Sequence, residues 1–335
     1  MTDSRETVLK SIRFESPGRI PTLFREWGNN DIAFLDFGVR YTPIDNRHQR
    51  DEFGCVWEYP EGHTIGYVVH HPLDALEDLD RFCLPDPDEA ERFRGLKRQA
   101  EAIRERGVAV ACNYLAMLWE RLWFLRGFEN TLVEVWQRPQ ETARLLDALS
   151  EFMIRLLQNA QEAAGGLIDI WCSTDDWGLQ SGAFIPPKLF RTLFAPRYSR
   201  IFAACREAGM YSYLHSDGNI AELIPELITA GLQILEVEDL RVKRLERLAY
   251  FRGRICMLCT LDAQSTMTAG NRQAIRAEAE QIVAALAAPE GGLIAGIYWD
   301  PVSCGVDPET QAFAVEAFQQ VCERFGGRTP AGKDS

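Results

Sequence analysis

The stretch MYSYLHSDGNIAELIPELITAGLQILE, residues 210–236, contains the pattern that decides the fold. An apolar run, Met210–His215, precedes a helix-like segment over 219–229, and a second apolar run, Leu232–Glu236, follows it. Nearly continuous apolar runs are typical of strands that are buried on both faces of a parallel sheet. Strands separated by helices at this spacing predict a parallel sheet with covering helices.

The same alternation extends over most of the chain. Four further strands are predicted at Val108–Cys112, Leu167–Cys172, Ile255–Leu258 and Leu293–Ile297. Helices are predicted over 88–106, two or three times within 116–164, and over 186–208, 241–250, 270–288 and 307–325. About seven βα units plus the short apolar run Ile20–Phe24 fit a (β/α)8 TIM barrel better than an open sheet.

The N-terminal region departs from this alternation. Residues 3–14 have the pattern of a short amphipathic helix. Residues 50–71 alternate in polarity around Pro60-Glu61-Gly62, which indicates a hairpin. We therefore expect an α/β protein, a (β/α)8 barrel with an N-terminal hairpin and helical excursion, forming one domain over 1–326 with a disordered tail over 327–335.

Composition limits the classes of partner. The chain has 335 residues and a net charge of −13, which argues against nucleic acid and anionic membranes. No segment approaches the roughly 20 apolar residues that span a bilayer, and the N-terminus lacks a secretory pattern. Nine scattered cysteines favour reduced thiols and a cytoplasmic protein, with Cys256 and Cys259 as a buried structural pair.

In (β/α)8 barrels the chemistry lies at the carboxyl ends of the strands. The predicted strand ends are mostly acidic, and they carry Glu26, Trp27, Asn113, Asp175, Asp176, His215, Asp217, Glu236, Glu238, Asp262 and the segment Asp300–Cys304. A strand that ends with His215 places Asp217, two residues later, on the same face. Such a pair indicates a metal site or an acid–base pair, with a hydrogen-bonded histidine at a strand end as the simpler alternative.

A neutral imidazole, a thiolate and carboxylates are ligands that Zn²⁺ accepts. His215 and Cys304, with Asp217 or Glu236, are therefore candidate zinc ligands, and Glu236 is alternatively a proton carrier or a solvated charge. The adjacent carboxylates Asp175 and Asp176 cannot point the same way. One is expected to brace its loop while the other faces the cleft, where Asp176 would orient the substrate.

Four aromatic residues near strand ends are candidates for the lining of a pocket for a large flat ligand. They are equally well explained as core residues. The four are Trp27, Trp177, Tyr298 and Trp299.

The chain resembles the uroporphyrinogen decarboxylase superfamily over nearly its whole length. The matching stretches are Asp51-Glu52-Phe53-Gly54, His71-Pro72-Leu73 with Leu84-Pro85-Asp86-Pro87, Asp175-Asp176-Trp177-Gly178 with Ile185-Pro186-Pro187 and Ala195-Pro196, His215-Ser216-Asp217-Gly218-Asn219, and Leu258–Gln264. The resemblance implies a (β/α)8 barrel.

Uroporphyrinogen decarboxylase proper needs no cofactor and decarboxylates acetate side chains of a tetrapyrrole. Its Met-Arg-Gln-Ala-Gly-Arg signature corresponds here to 21–28, which contains one arginine, and its Gly-x-Pro-x-Thr loop corresponds to Cys112–Ala116. A substrate with many carboxylates requires a basic cleft, whereas these strand ends are acidic. The resemblance to this branch is therefore the weaker one.

The second branch comprises cobamide-dependent methyltransferases, whose thiol-activating members hold zinc through a His-x-Cys motif and a distant cysteine. His215 and Cys304 match two of these ligands, and Asp217 occupies the position of the first cysteine. A site with His, Asp and Cys is harder than one with two thiolates and polarises an oxygen better. The resemblance implies transfer of a methyl group between a small O- or S-methyl compound and a corrinoid protein.

In this interpretation His215, Asp176 and Glu236 are catalytic, Zn²⁺ is bound, and a partner protein supplies the corrinoid. The state of assembly is expected to be a monomer or a homodimer. Two alternatives remain open. One is a metal-free decarboxylase of a carboxylated tetrapyrrole, in which Asp176 and His215 anchor the substrate. The other is a non-catalytic barrel that binds a tetrapyrrole or a partner.

Overall fold

The computed structural model describes residues 3–61, 64–238, 240–301 and 303–326. The strands are β1 (Thr22–Leu23), β2 (Ile32–Phe34), β3 (Tyr41–Pro43), β4 (His48–Asp51), β5 (Val56–Glu58), β6 (Tyr67–His70), β7 (Ala109–Asn113), β8 (Ile170–Thr174), β9 (Tyr211–His215), β10 (Ile234–Val237), β11 (Cys256–Thr260) and β12 (Leu293–Gly296). The α-helices are α1 (Ser4–Arg13), α2 (Leu96–Glu105), α3 (Trp119–Arg126), α4 (Phe128–Gln137), α5 (Pro139–Ala163), α6 (Pro187–Leu193), α7 (Ala195–Glu207), α8 (Ile224–Ala230), α9 (Leu240–Lys243), α10 (Leu245–Ala249), α11 (Arg272–Leu286) and α12 (Pro308–Gly326).

The fold is α/β and of the (β/α)8 TIM-barrel class. An eight-stranded sheet built from β1, β2 and β7 to β12 alternates along the chain with α-helices. The predicted fold class and the six long predicted strands are confirmed. Their burial explains the pattern in the sequence, because every residue of β11 is buried, as a parallel strand covered on both faces requires.

The chain divides into two compact units. The terminal unit comprises Met1–Ala33, Ile103–Ala109 and Gln233–Ser335, and the central unit comprises Phe34–Ala102 and Val110–Leu232. The single domain predicted over 1–326 stays a prediction. The tail predicted over 327–335 lies outside the described residues.

In the terminal unit, β10, β11 and β12 pair in parallel, and β12 also pairs with β1. Helix α1 is attached to this sheet, since the Ser11 hydroxyl donates to the Leu293 carbonyl at 3.1 Å. Helices α11 and α12 pack against each other beside it. Helix α11 begins at Arg272, two residues after the predicted start, because the Asn271 side chain accepts from the backbone N–H groups of Gln273 and Ala274.

In the central unit, β7, β8 and β9 pair in parallel. The register places Thr174, the last residue of β8, opposite His215, the last residue of β9. The loops that follow these two strands therefore begin side by side at the carboxyl edge.

The N-terminal excursion is larger than predicted. Strands β5 and β6 form the expected antiparallel hairpin, but β3 and β4 extend it to a four-stranded sheet. The sequence of β4, His48–Asp51, is polar and shows no apolar alternation, so it gave no strand signal. Strand β2, Ile32–Phe34, was missed as well, because three residues are too few to establish a period.

Four predicted helical regions are subdivided, and the one predicted over 88–106 is a 3₁₀ turn over Ala90–Phe93 followed by α2. The region 116–164 contains three helices, which is within the prediction. The helix predicted over 186–208 is two helices, α6 and α7, because Pro196 lacks the N–H group that a continuous helix would use. The helix predicted over 241–250 is divided at Arg244, whose φ is +60°.

The cysteines and the apolar character of the helices bear on two further features, disulfide bonds and membrane spans. All nine cysteines lie among the described residues and none forms a disulfide, with Cys256 and Cys259 both buried in β11. Within the described ranges, none of the helices combines the length and the apolar composition needed to cross a bilayer.

Candidate functional site

The candidate site lies in the central unit, where the loops after β8 and β9 meet. The backbone N–H of Asp175 donates to the carbonyl of His215 at 3.0 Å, so the parallel pairing continues one residue past β8. The N–H of Trp177 then donates to the Ser216 hydroxyl at 3.0 Å. These bonds fix the two loops against each other.

Two glycines allow the loop backbones to touch. Gly218 has a φ of +73°, and a Cβ at this position would lie 2.1 Å from the carbonyl oxygen of Gly178. A Cβ on Gly178 would in turn lie 2.6 Å from the backbone nitrogen of Asn219. Only residues without a side chain fit at this crossing.

We predict that Gly218→Ala destabilises the protein by about 2–5 kcal/mol, because it combines overpacking with a left-handed backbone. Urea unfolding measures the effect. Gly182→Ala in the same loop is the control, since a Cβ there meets nothing within 4 Å and its φ is not in the left-handed region. Equal free energies of unfolding for the two variants would show that the loops can move apart without a loss of stability.

The loops bring together one imidazole and two carboxylates. His215 Nε2 lies 3.6 Å from Asp176 Oδ1 and 3.6 Å from Asp217 Oδ1. One ligand atom from each of these residues lies within 4.8 Å of the other two. The backbone N–H of Asp217 donates to Asp176 Oδ1 at 2.8 Å, which orients that carboxylate. This group, Asp176, His215 and Asp217, is called the histidine cluster below.

The histidine cluster is open to a ligand. Its side chains are between 15% and 43% exposed, with the imidazole the least exposed of the three. One nitrogen and two carboxylate oxygens are donors that divalent cations accept. The same groups also make an acid–base set, because imidazole changes its charge near neutral pH.

The two adjacent carboxylates serve different purposes, as expected. Asp175 is fully buried and accepts hydrogen bonds from the N–H groups of Leu118 and Glu120 at 2.8 and 2.9 Å. It also accepts from the Tyr198 hydroxyl. Asp175 therefore holds the start of helix α3, whereas Asp176 belongs to the histidine cluster. Burial raises the pKa of Asp175, and the hydrogen bonds from Tyr198 and the helix oppose that rise.

Glu120, which the sequence analysis missed, belongs to the same region. Its Oε2 pairs with the hydroxyl of Thr174, and that hydroxyl accepts from the N–H of Ala116 at 3.0 Å. Burial raises the pKa of Glu120 well above its ordinary value, and the charges of Asp176 and Asp175 raise it further. The available signal was the charged pair Glu120-Arg121 inside the apolar run 117–125.

Trp177 is a core residue in this structure, which corrects the expectation that it lines a ligand pocket. Its indole is fully buried, stacks on Trp119 with ring centroids 4.8 Å apart, and meets the edge of Phe194 at 4.6 Å. The indole N–H donates to the Tyr198 hydroxyl at 2.9 Å. Aromatic packing accounts for this tryptophan at a strand end.

The remaining predicted site residues belong to the terminal unit. Glu236 is buried in β10, and Cys304 is partly exposed in the loop before α12. In that loop the Asp300 carboxylate accepts from the N–H and hydroxyl of Ser303. Val302, from the same predicted segment, lies outside the described residues. The assignment of Glu236 and Cys304 as ligands stays a prediction.

The other three aromatic candidates, Trp27, Tyr298 and Trp299, belong to the terminal unit and differ in exposure. Trp299 is 45% exposed and Tyr298 is partly exposed beside it. Trp27 lines a surface cavity of about 340 Å³ against helix α12, together with Val315, Glu316 and Glu323 among others. The substrate-binding role expected for these three stays a prediction.

Comparison with solved structures reveals a similar fold. A methyltransferase from Methanosarcina mazei superposes with a TM-score of 0.63 at 18% identity, over 82% of this chain and 76% of that one. At this identity the likeness concerns the fold.

Comparison with curated sequences identifies related decarboxylases. Uroporphyrinogen decarboxylase from Geobacillus kaustophilus (strain HTA426) is 28% identical over 150 residues, which is 43% of this chain and 41% of that protein. The same enzyme from Geobacillus thermodenitrificans (strain NG80-2) is 27% identical over the same shares. The match thus spans about two fifths of these relatives.

The family model described as uroporphyrinogen decarboxylase (URO-D) matches residues 41–325, which is most of the chain. Its span includes the antiparallel sheet, β7 to β12 and the histidine cluster. The chain therefore belongs to the uroporphyrinogen decarboxylase (URO-D) family.

Proposed function

We propose that this protein is a methyltransferase that moves a methyl group between a small O- or S-methyl compound and a corrinoid protein, assisted by Zn²⁺. The observation that carries the proposal is the histidine cluster, which offers one imidazole and two carboxylates on the carboxyl edge of β8 and β9. The chain's membership of the uroporphyrinogen decarboxylase (URO-D) family and the fold that it shares with a methyltransferase support the proposal.

The donor spacing fits a zinc ion. Two ligands at about 2.1 Å from a tetrahedral ion lie about 3.4 Å apart. His215 Nε2 is 3.6 Å from each of the two carboxylate oxygens, so small side-chain movements would suffice. His215, Asp217 and Asp176 would hold the ion, with Cys304 proposed as a further ligand from the resemblance and Glu236 from its position at a strand end. The ion would supply Lewis acidity toward the substrate's oxygen or sulfur.

The residues of the cluster also restrict the substrate. Two carboxylates and an imidazole form a hard donor set, which favours an oxygen ligand over a thiolate. An ether or an alcohol is therefore the better methyl compound. Asp176, held by the N–H of Asp217, would orient that compound.

A metal-free decarboxylase is the second candidate, and the two Geobacillus relatives favour it. The charges in the central unit argue against it. Asp176 and Asp217 would repel a polycarboxylate. Arg121, which follows Glu120 in the chain, is buried and paired with Asp51 at 2.9 Å.

Two measurements on the purified protein test the proposal. Elemental analysis is expected to find about one zinc per chain. Incubation with 2-methoxyphenol and chemically reduced cob(I)alamin is expected to give methylcobalamin. The absorbance of methylcobalamin measures its formation. Loss of carboxyl groups from uroporphyrinogen in a parallel assay, without zinc, would support the decarboxylase instead. A protein inactive in both assays would fit the non-catalytic barrel.

A further inference from the structure

The cavity between Trp27 and helix α12 lies in the terminal unit and is built on a braced turn. Trp27 ends the 3₁₀ turn that follows β1. The Asn30 side chain holds this turn, because it accepts from the N–H of Arg25 at 2.6 Å and donates to the carbonyls of Arg25 and Gly28 at 2.5 and 3.1 Å. A Cβ on Gly28 would lie 2.7 Å from Val315 Cγ1, so the turn packs directly on α12.

Helix α12 supplies the rest of the cavity lining, including two glutamates that are held in place by glutamines. Gln320 Nε2 donates to Glu316 Oε1 at 2.9 Å, and Gln319 Nε2 donates to Glu323 Oε1 at 3.0 Å. Arg276 of helix α11 in turn donates to Gln320 Oε1 at 3.0 Å. The two carboxylates are therefore presented in defined orientations before any ligand binds.

The cavity carries negative charge that none of the described residues neutralises. Oε2 of Glu316 and Oε2 of Glu323 have neither a hydrogen bond nor an ion pair in that part of the chain, and the described lining contains no lysine or arginine. Arg276 donates to a glutamine oxygen instead. Arg19, in an adjoining cavity that shares Glu323, is paired with Asp31 at 2.6 Å. Two uncompensated carboxylates favour a cation and repel a phosphate or a carboxylate.

Trp27 adds an aromatic wall and a hydrogen-bond donor. Its side chain is partly exposed, whereas its indole N–H is buried and has no hydrogen-bond partner among the described residues. Tryptophan attracts a cation over its ring more strongly than tyrosine or phenylalanine does. An unpaired buried N–H requires an acceptor, which an oxygen of a ligand would supply. The volume of about 340 Å³ lies within the range of small-molecule sites, roughly 300–1,000 Å³.

An organic cation fits this lining better than a metal ion. Calcium takes about six to eight oxygen ligands, whereas two carboxylates line this cavity. None of the metal-ligating groups found among the described residues includes Glu316 or Glu323. An aromatic ring beside carboxylates is instead a typical setting for an alkylated ammonium group.

We propose that this cavity binds a small alkylammonium alcohol. The Trp27 ring and the carboxylates of Glu316 and Glu323 hold the ammonium group, and the hydroxyl oxygen accepts from the indole N–H. This binding goes beyond the proposed methyl transfer, because the histidine cluster belongs to the central unit and contributes none of these residues.

Calorimetry with choline and its neutral isostere 3,3-dimethylbutan-1-ol tests the class of ligand on the purified full-length protein. The two compounds have the same shape and hydroxyl group, and only choline is charged. Choline is expected to bind at least about 10-fold more tightly, because the ring and the carboxylates attract the charge. Equal affinities, or no binding of choline, would overturn the proposal. The measurement needs neither zinc nor turnover, so its outcome is independent of the proposed function.

Two variants test the carboxylates. Glu316→Gln and Glu323→Gln are each expected to weaken choline binding by about 2- to 5-fold, as for a partly exposed ion pair. Glu309→Gln is the matched control, because Glu309 is an exposed glutamate of the same helix that does not line the cavity. Wild-type affinity in both cavity variants would contradict the site.

Variants of Trp27 test the aromatic wall. Trp27→Leu is expected to weaken choline binding by about 5- to 30-fold, and Trp27→Phe should lose less because a phenyl ring still attracts cations. Tyr250→Leu, at an aromatic residue of the same unit that is 72% exposed, should bind choline as wild type does. Unchanged affinity in Trp27→Leu would overturn the proposal. If this variant does not fold, the glutamate variants decide, since they replace exposed side chains.

Discussion

His215→Ala is expected to lose both the bound zinc and at least about 10³-fold in kcat for methyl transfer, because a metal acting as a Lewis acid supplies several kcal/mol of transition-state stabilisation. The histidine is the only nitrogen donor of the cluster and lies 3.6 Å from both carboxylates. Elemental analysis and the methylcobalamin assay measure the two losses separately.

The control for this variant is His70→Ala, which removes an exposed histidine from β6 in the same unit. It is expected to keep its zinc and its rate. Retention of zinc by His215→Ala would contradict the ligand assignment. Loss of activity without loss of zinc would instead identify His215 as an acid–base residue.

Asp217→Cys tests what the aspartate contributes to the choice of substrate. A thiolate is a softer ligand than a carboxylate. The variant is therefore expected to keep zinc and to shift the ratio of rates from 2-methoxyphenol toward a methylthio compound. An unchanged ratio would show that the hardness of this ligand does not select the methyl compound.

Much of the fold is predictable because the buried strands have a simple signature. Strands such as β11 are apolar at every position, since both faces are covered. The strands that escaped prediction, β2, β3 and β4, are either too short or too polar to show a period. Their positions depend on partners distant in the chain, which local patterns do not encode.

The site was predictable only in part, for a related reason. His215 and Asp217 were found because they end a strand, and Asp176 because it follows one. Glu120 lies at the start of a helix and pairs with Thr174 at the end of β8, and Asp175 from the loop after β8 accepts from that helix start. For Trp177 a position at a strand end left two interpretations open, and the structure packs its indole against Trp119 and Phe194 rather than exposing it.

The buried ion pair between Asp51 and Arg121 joins the antiparallel sheet to helix α3, which also carries Glu120. Their side chains are 0% and 2% exposed and their closest atoms, Oδ2 and Nη1, are 2.9 Å apart. Asp51 also accepts from the N–H groups of Phe53 and Cys55 and from the indole of Trp57. The guanidinium lies over the Phe53 ring at 3.9 Å. Arg121 is thus engaged in a structural ion pair with Asp51 and does not serve as a binding group for a substrate carboxylate.

Asp51→Asn is expected to destabilise the protein by about 3–5 kcal/mol, because removing one partner leaves the other as an uncompensated buried charge. Urea unfolding measures the loss, and Asp74→Asn, at an exposed position of the same unit, should change stability by less than about 0.5 kcal/mol. A loss below about 1 kcal/mol would mean that water reaches Arg121 and replaces Asp51 as its partner.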